Sequence, residues 1–316
     1  MTRRREIRIG TRGSLLAVRQ SEGVAEELRE ACPDLTISLV CIRTRGDRFP
    51  DAPFLEIGER GLFVKEIEES LLRGDIDLAV HSMKDLPTEL PTGLCLGAVT
   101  FREDPRDCLL SREGLNLDEL PLGAVVGTSS LRRQAQLKNF RPDLQIKPVR
   151  GNLDTRIRKL DTGEWDAILL AAAGLHRLGL QDLVTQYIPP EICLPAAGQG
   201  ALGVELREKA GDLRVTIQMI NDEESACATL AERAFLRGLG GGCQVPIGAL
   251  GEVRSGNLHL QGMICTPDGK RVIRGDCDGP LGAPERLGEE LAQRLWPEAK
   301  GILEGERLEG EKGEGR

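Results

Sequence analysis

A chain of 316 residues with 40% hydrophobic content is long enough for two or three domains, and with 3% aromatics their cores must be built from Leu, Val, Ile and Ala. A net charge of −8 and a pI near 5.2 exclude a general nucleic-acid or membrane-surface binder, because no uniform positive field covers the molecule. Any anion site must therefore be local. No apolar run approaches the roughly 20 residues of a membrane helix, and Met1-Thr2-Arg3-Arg4-Arg5 leads into a strand-like stretch rather than the apolar core of a signal peptide. Nine cysteines without a C-x-x-C pair fit neither a disulfide framework nor a zinc site, and three scattered histidines (His81, His176, His259) argue against a metal centre. A reducing cytoplasm is the expected compartment.

Taken in order, residues 6–10 predict a strand, Ser14 caps a helix carrying Leu15, Val18, Ala25 and Leu28, and Leu35 to Ile42 is β-rich. A polar stretch over 48–61 reads as a mobile loop. Phe63, Ile67 and Leu71 share a helical face ending at Arg73-Gly74, and Ile76 to Val80 is a buried strand. This β-α-β-α-β alternation predicts a mostly parallel sheet. A second such unit starts near 101. It has a strand at 123–127, a helix over 131–140 capped by Thr128-Ser129-Ser130, a strand at 144–149, Asn152 as the next cap, and a strand at 166–172. The Pro195 to Ala201 segment reads as a crossover into a strand at 201–206. Two such units suggest a cleft between lobes. A helix over 225–239 then leads into a glycine run, with strands near 245–253, 258–265 and 270–276 and a closing helix bearing Leu287, Leu291 and Leu295. The expected domains are 1–100 plus 200–219, 101–199 and 220–303, with a Gly/Glu/Lys-rich, disordered tail over 304–316.

Three features carry chemistry. In Thr128-Ser129-Ser130-Leu131-Arg132-Arg133, two arginines occupy the first turn of a helix, where the backbone already presents partial positive charge. Their placement favours a bound anion, held by N–H groups, hydroxyls and guanidinium forks. Arg12, Arg150, Arg156 and Arg177 recur where strands or helices begin, as a ligand with several separated negative groups requires. Lys84 and Asp85 follow the carboxyl end of a buried strand, the favoured edge for active-site residues. An aspartate among so many arginines is biased toward its ionised form and can stabilise positive charge or exchange protons. The alternative is an ordinary turn before Pro87. Finally, Gly240-Gly241-Gly242-Cys243 sets one thiol beside a backbone with no Cβ atoms to exclude a bulky neighbour, although a lone thiol in such a turn is more often inert. No phosphate-loop or dinucleotide-binding fingerprint is present.

His81-Ser82-Met83-Lys84-Asp85-Leu86-Pro87, Gly127-Thr128-Ser129-Ser130-Leu131-Arg132-Arg133, Arg150-Gly151-Asn152, Glu232-Arg233 and Gly241-Gly242-Cys243-Gln244-Val245-Pro246 occur in an order that resembles the porphobilinogen deaminases (hydroxymethylbilane synthases) from about residue 6 to 300. The resemblance implies an α/β fold of three domains. The first two would be similar to type II periplasmic-binding-protein lobes around a cleft, and the third a small α/β domain carrying the cofactor cysteine. It also implies a dipyrromethane cofactor joined by a thioether to Cys243, and four successive additions of porphobilinogen with loss of ammonia. By the same resemblance, Lys84, Ser130, Arg132, Arg133 and Arg150 hold cofactor carboxylates, and Arg12, Ser14, Arg156 and Arg177 meet incoming substrate. Asp85 stands beside the pyrrole nitrogens, and no metal takes part. The loop at 48–61 departs from the family: Phe54-Leu55-Glu56-Ile57-Gly58-Glu59-Arg60 keeps one basic residue near its end, which retains a cover but not an anion contact from position 56. A monomer is expected from the low aromatic content. The competing reading is a non-catalytic, two-lobed carboxylate-binding protein.

Overall fold

The computed structural model describes residues 6–44, 64–240 and 245–313, with side chains as far as 303. The cover expected over 48–61 and the Cys243 anchor lie outside the described residues.

The chain opens with β1 (Glu6–Thr11), α1 (Leu15–Ala31) and β2 (Thr36–Cys41). Ser14 starts α1 as predicted, its hydroxyl accepting from the Ala17 N–H at 3.3 Å. Next, α2 (Lys65–Arg73) buries Ile67 and Leu71 and stops at Gly74, whose φ of +80° forms a left-handed cap. β3 (Leu78–Ser82) runs into a 3-10 turn over Met83–Asp85, and β4 (Leu94–Val99) follows. Then come β5 (Asp107–Ser111), β6 (Val125–Gly127), α3 (Leu131–Phe140), β7 (Gln145–Lys147), α4 (Leu153–Leu160), β8 (Ala167–Ala171), α5 (Ala172–Arg177) and β9 (Gln186–Ile188). The last part holds β10 (Leu202–Arg207), α6 (Asp212–Gln218), α7 (Glu223–Gly238), the strands β11 (Ile247–Arg254), β12 (Asn257–Cys265) and β13 (Val272–Pro280), and α8 (Pro284–Gly313). α8 continues past 303, where composition predicts disorder, because Glu, Arg, Leu and Lys between the glycines are good helix formers. No helix among the described residues is long and apolar enough to cross a membrane.

The structure divides into two compact units. The first is assembled from three stretches of chain, up to Asp104, Ala173–Leu180 and Gln199–Ala226. Its sheet has the order β2-β1-β3-β10-β4. β1 runs parallel to β2 and β3, whereas β10 is antiparallel to both β3 and β4. The second unit contains a sheet of order β7-β6-β8-β5-β9 with the same pattern, three parallel strands followed by a reversed one, β5. Both sheets are mostly parallel, as expected: four of the five strands in each run in one direction, and one is reversed. In the first, β10 leaves a turn with left-handed glycines at 198 and 200 (φ +76° and +95°) and enters beside the carboxyl end of β3, so it runs opposite to β3. Ile9, Leu78 and Val204 share one sheet core, and Leu109, Val126 and Leu169 the other.

Also in the second unit, β11, β12 and β13 form an antiparallel meander. One face packs Leu258 and Leu260 against Phe235 of α7 and Leu287, Leu291 and Leu295 of α8. Gly262 is required there, since a Cβ would collide with the Phe235 ring. The other face buries Leu250, Met263 and Cys265 against Ala135 of α3 and Leu194.

Candidate active site

Strand direction decides which side chains meet. In the first unit β1 and β3 are parallel, so Arg12-Gly13-Ser14 and Lys84-Asp85 emerge at the same carboxyl edge of the sheet. β10 is antiparallel to β3 with Leu202 opposite Ser82, which brings Gln199 to Ala201 to that edge as well. The Met83 N–H donates to the Ala201 carbonyl (3.0 Å), Gln20 Nε2 donates to Ser82 Oγ (3.1 Å) and Lys84 Nζ donates to Gln199 Oε1 (3.3 Å). The Gln199 carbonyl in turn accepts from Arg102 Nε at 2.9 Å. Asp85 is exposed at the end of the 3-10 turn, and its carboxylate makes no hydrogen bond or ion pair among the described residues. Arg177 donates from Nη2 to the Gly200 carbonyl at 2.6 Å; burial lowers its pKa to about 10 against the pull of Glu103 and Glu27, so it remains a cation at neutral pH. His176 Nδ1 lies 3.0 Å from Glu103 Oε1. Gln199, Glu103 and Arg102 are contributors that sequence reasoning missed; only the glycines flanking Gln199 hint at them.

The second unit repeats the arrangement. β6, β7 and β8 are parallel, so Ser129 to Arg133 and Arg150 to Asn152 leave at one edge, where Asp107 also starts the reversed strand β5 opposite Ala171. Ser130 caps α3, its hydroxyl accepting from the Arg133 N–H at 3.4 Å, and Ser129 Oγ donates to the Val149 carbonyl at 2.9 Å. The anion that the two arginines require turns out to lie within the chain. Asp107, 0% exposed, pairs with Arg132 Nη2 at 2.8 Å and Arg133 Nη2 at 2.7 Å, and both guanidinium groups are 6% exposed. Burial alone would lower the Arg132 pKa, but Asp107 outweighs it and raises it. Arg132 Nη1 also donates to the Leu194 carbonyl (2.5 Å), and Arg133 Nη1 to the Leu169 carbonyl (3.0 Å). Cys193 Sγ donates to Asp107 at 3.2 Å, and burial, then Asp107, push its thiol up to about 12, which keeps it protonated. The sequence signal for Asp107 was a charge opening the apolar run Cys108-Leu109-Leu110.

Arg150 and Arg156 are half-buried near the same edge: Arg156 Nε donates to the Gly151 carbonyl (2.8 Å) and Lys159 Nζ to the Arg150 carbonyl (3.2 Å). Asn152 occupies the N-cap of α4, but its side chain makes no capping hydrogen bond. Elsewhere in this unit Glu232, fully buried on α7, accepts from the Gly198 N–H (2.5 Å) and the Gly251 N–H (2.7 Å). That fastens the crossover to the antiparallel meander.

Residues 7–215 match the family model described as porphobilinogen deaminase, dipyromethane cofactor binding domain, and residues 226–296 match that of the porphobilinogen deaminase C-terminal domain. The porphobilinogen deaminase of Pelotomaculum thermopropionicum is 54% identical over 292 residues, covering 92% of this chain and 94% of the relative. That of Desulforudis audaxviator is 52% identical over 292 residues (92% and 94%), and that of Syntrophomonas wolfei 50% over 291 residues (92% and 95%). Both edges of cationic and hydroxyl side chains thus sit in a chain that belongs to the porphobilinogen deaminase family.

Proposed function

We propose that this chain is an enzyme that condenses four porphobilinogen molecules head to tail, with loss of ammonia, and releases the linear tetrapyrrole by hydrolysis. One observation carries the reading: Asp85, a carboxylate without a partner among the described residues, stands next to Lys84 at a sheet edge that also bears Arg12. A simple carboxylate binder has no need of a bare negative group there.

The donor set suits a cofactor rich in carboxylates. Lys84 is exposed, and Ser130, Arg150 and Arg156 are half-buried, so ammonium, hydroxyl and guanidinium groups can each meet an acetate or propionate. Arg132 and Arg133 share Asp107, so the three residues together carry a net single positive charge toward that edge. Held through a thioether at Cys243, the dipyrromethane would supply the free pyrrole α-carbon that takes the first unit, each later unit joining the α-carbon of the one before it. Arg12, Ser14, Arg156 and Arg177 bind the carboxylates of arriving substrate. The Asp85 carboxylate accepts hydrogen bonds from pyrrole N–H groups, offsets the positive charge that develops on substrate as ammonia departs, and takes up the proton lost when the new bond forms. We read the enzyme as monomeric and cytoplasmic; the eight described cysteines are all free thiols.

Intact-mass analysis of freshly made protein tests this. The expected mass exceeds the bare sequence by one dipyrromethane, located on the peptide containing Cys243, and the protein consumes porphobilinogen. A bare mass together with no consumption overturns the reading.

A further inference from the structure

Beneath the Asp85 edge the first unit buries three titratable side chains from three elements. Glu68 comes from α2 and is 8% exposed, His81 from β3 is 6% exposed, and Glu205 from β10 is 0% exposed. His81 Nε2 lies 3.1 Å from Glu205 Oε2. The remaining oxygens are the anomaly: Glu68 Oε1 and Glu205 Oε1 are buried and lack a hydrogen-bond partner among the described residues. Two ionised carboxylates beside one imidazole would leave net negative charge in the protein interior, which is costly without donors. One additional proton removes the excess charge.

The other charged groups on the packed elements do not compensate. Glu69, on the same helix, adds negative charge, and Cys95 on β4 is near Glu205 but neutral, with burial first and Glu205 among the causes that push its thiol up. Arg8 of β1 is engaged by Asp77 at 3.0 Å. Arg207 of β10 donates to the carbonyls of Leu71 (2.6 Å) and Ile76 (2.9 Å). Burial first, then Glu205, push the Glu68 carboxyl up to about 7.

We propose that Glu68, His81 and Glu205 form a buried cluster of two carboxyls and one imidazole in which Glu68 is the protonated member, and that its proton count positions the Ser82–Asp85 turn. The coupling is short. His81 immediately precedes Ser82, and the His81–Glu205 contact joins the His81–Gly203 rung of the β3–β10 ladder to the Ala79–Glu205 rung, one rung before Ser82–Leu202, from which the turn departs. When Glu68 ionises, its proton goes to solvent and the imidazole faces two carboxylates instead of one. The role assigned to the turn rests on the deaminase reading, so the test is made without substrate.

Protein labelled with carbon-13 at the glutamate carboxyls is titrated by NMR. One carboxyl resonance, absent in Glu68→Gln, is expected to titrate near pH 7, and the backbone amides of Ser82 to Asp85 to shift with the same midpoint in the wild type but not in Glu68→Gln. Glu205→Gln removes a charge that raises Glu68, so the midpoint should fall. Thermal unfolding adds a check with a defined sign. A carboxyl whose pKa is raised on folding contributes stability that is present below the ordinary Glu value of 4.5 and lost as pH rises through about 7. Glu68→Gln should therefore match the wild type at low pH and exceed it in Tm above pH 8. Should neither variant fold, the wild-type titration alone decides, since no glutamate resonance titrating above pH 6 would overturn the proposal. A Glu68 midpoint at the ordinary value, or amide shifts in the turn that ignore it, would also overturn it. Either failure leaves the covalent mass and substrate consumption unaffected.

Discussion

Two aspartates, one bare and one enclosed, divide the chemistry from the scaffold. Asp85 is exposed on its turn, and it is the carboxylate proposed to meet substrate. Asp85→Asn keeps the size of the side chain and removes the charge. Turnover should fall by about 10²-fold or more, the usual worth of a proton-transfer group, while the mass of the attached cofactor persists; retained turnover with porphobilinogen would show that the catalytic carboxylate has been misplaced. Asp107 is the opposite case, fully buried between two guanidinium groups. Asp107→Asn leaves both arginines buried with no counter-charge, at a cost of about 3–5 kcal/mol. The expected result is a denaturation midpoint well below the wild type and protein purified largely without its cofactor; an unchanged midpoint would show that the arginines find other acceptors.

At the scale of elements, the turn carrying Gly198 and Gly200 does more than connect. Its Gly200 carbonyl accepts from Arg177, its Gln199 side chain from Lys84, and the carbonyl of Ala201 from the Met83 N–H. Gly200 has a φ of +95°, and a Cβ there would fall inside the contact radius of the Glu103 carbonyl oxygen. Gly200→Ala should therefore lower Tm by roughly 3–5 °C, the effect of about 2–3 kcal/mol of strain in a protein of this size, and should weaken substrate binding through Arg177. A Tm and KM equal to the wild type would mean that the turn can relax. Some of this was legible from sequence and some was not. α3 was read over its full length because a capping serine and a helical period are local signals, complete within about ten residues. The reversed strands were not: β10 pairs with β3 across more than a hundred residues, and no nearby residue records the direction from which it enters. The same limit hid Asp107. The two arginines announced an anion, but one 25 residues earlier in the chain looks no different from a surface aspartate until β5 is laid beside β8. β4, β5 and β9 were missed altogether, since short apolar stretches without alternation resemble loop or buried helix equally well.

Over the whole molecule, a net charge of −8 coexists with two sheet edges rich in arginine, lysine and serine. Acidic residues elsewhere keep the bulk surface unattractive to polyanions, while the groups proposed to bind carboxylates lie near strand ends. Both five-stranded sheets use one plan, yet they are completed at different points along the chain. The sheet containing β5 to β9 has all its strands by Ile188, whereas the first sheet waits for β10, which ends at Arg207 and lies between β3 and β4. A nascent chain leaving the ribosome therefore carries β3 and β4 with a vacant strand position between them until the crossover has emerged, and each exposes an unpaired edge for that interval. The same late strand brings Gln199 and Ala201 to Lys84 and Met83, so the edge that holds Asp85 takes shape only after the sheet of β5 to β9 can already have formed.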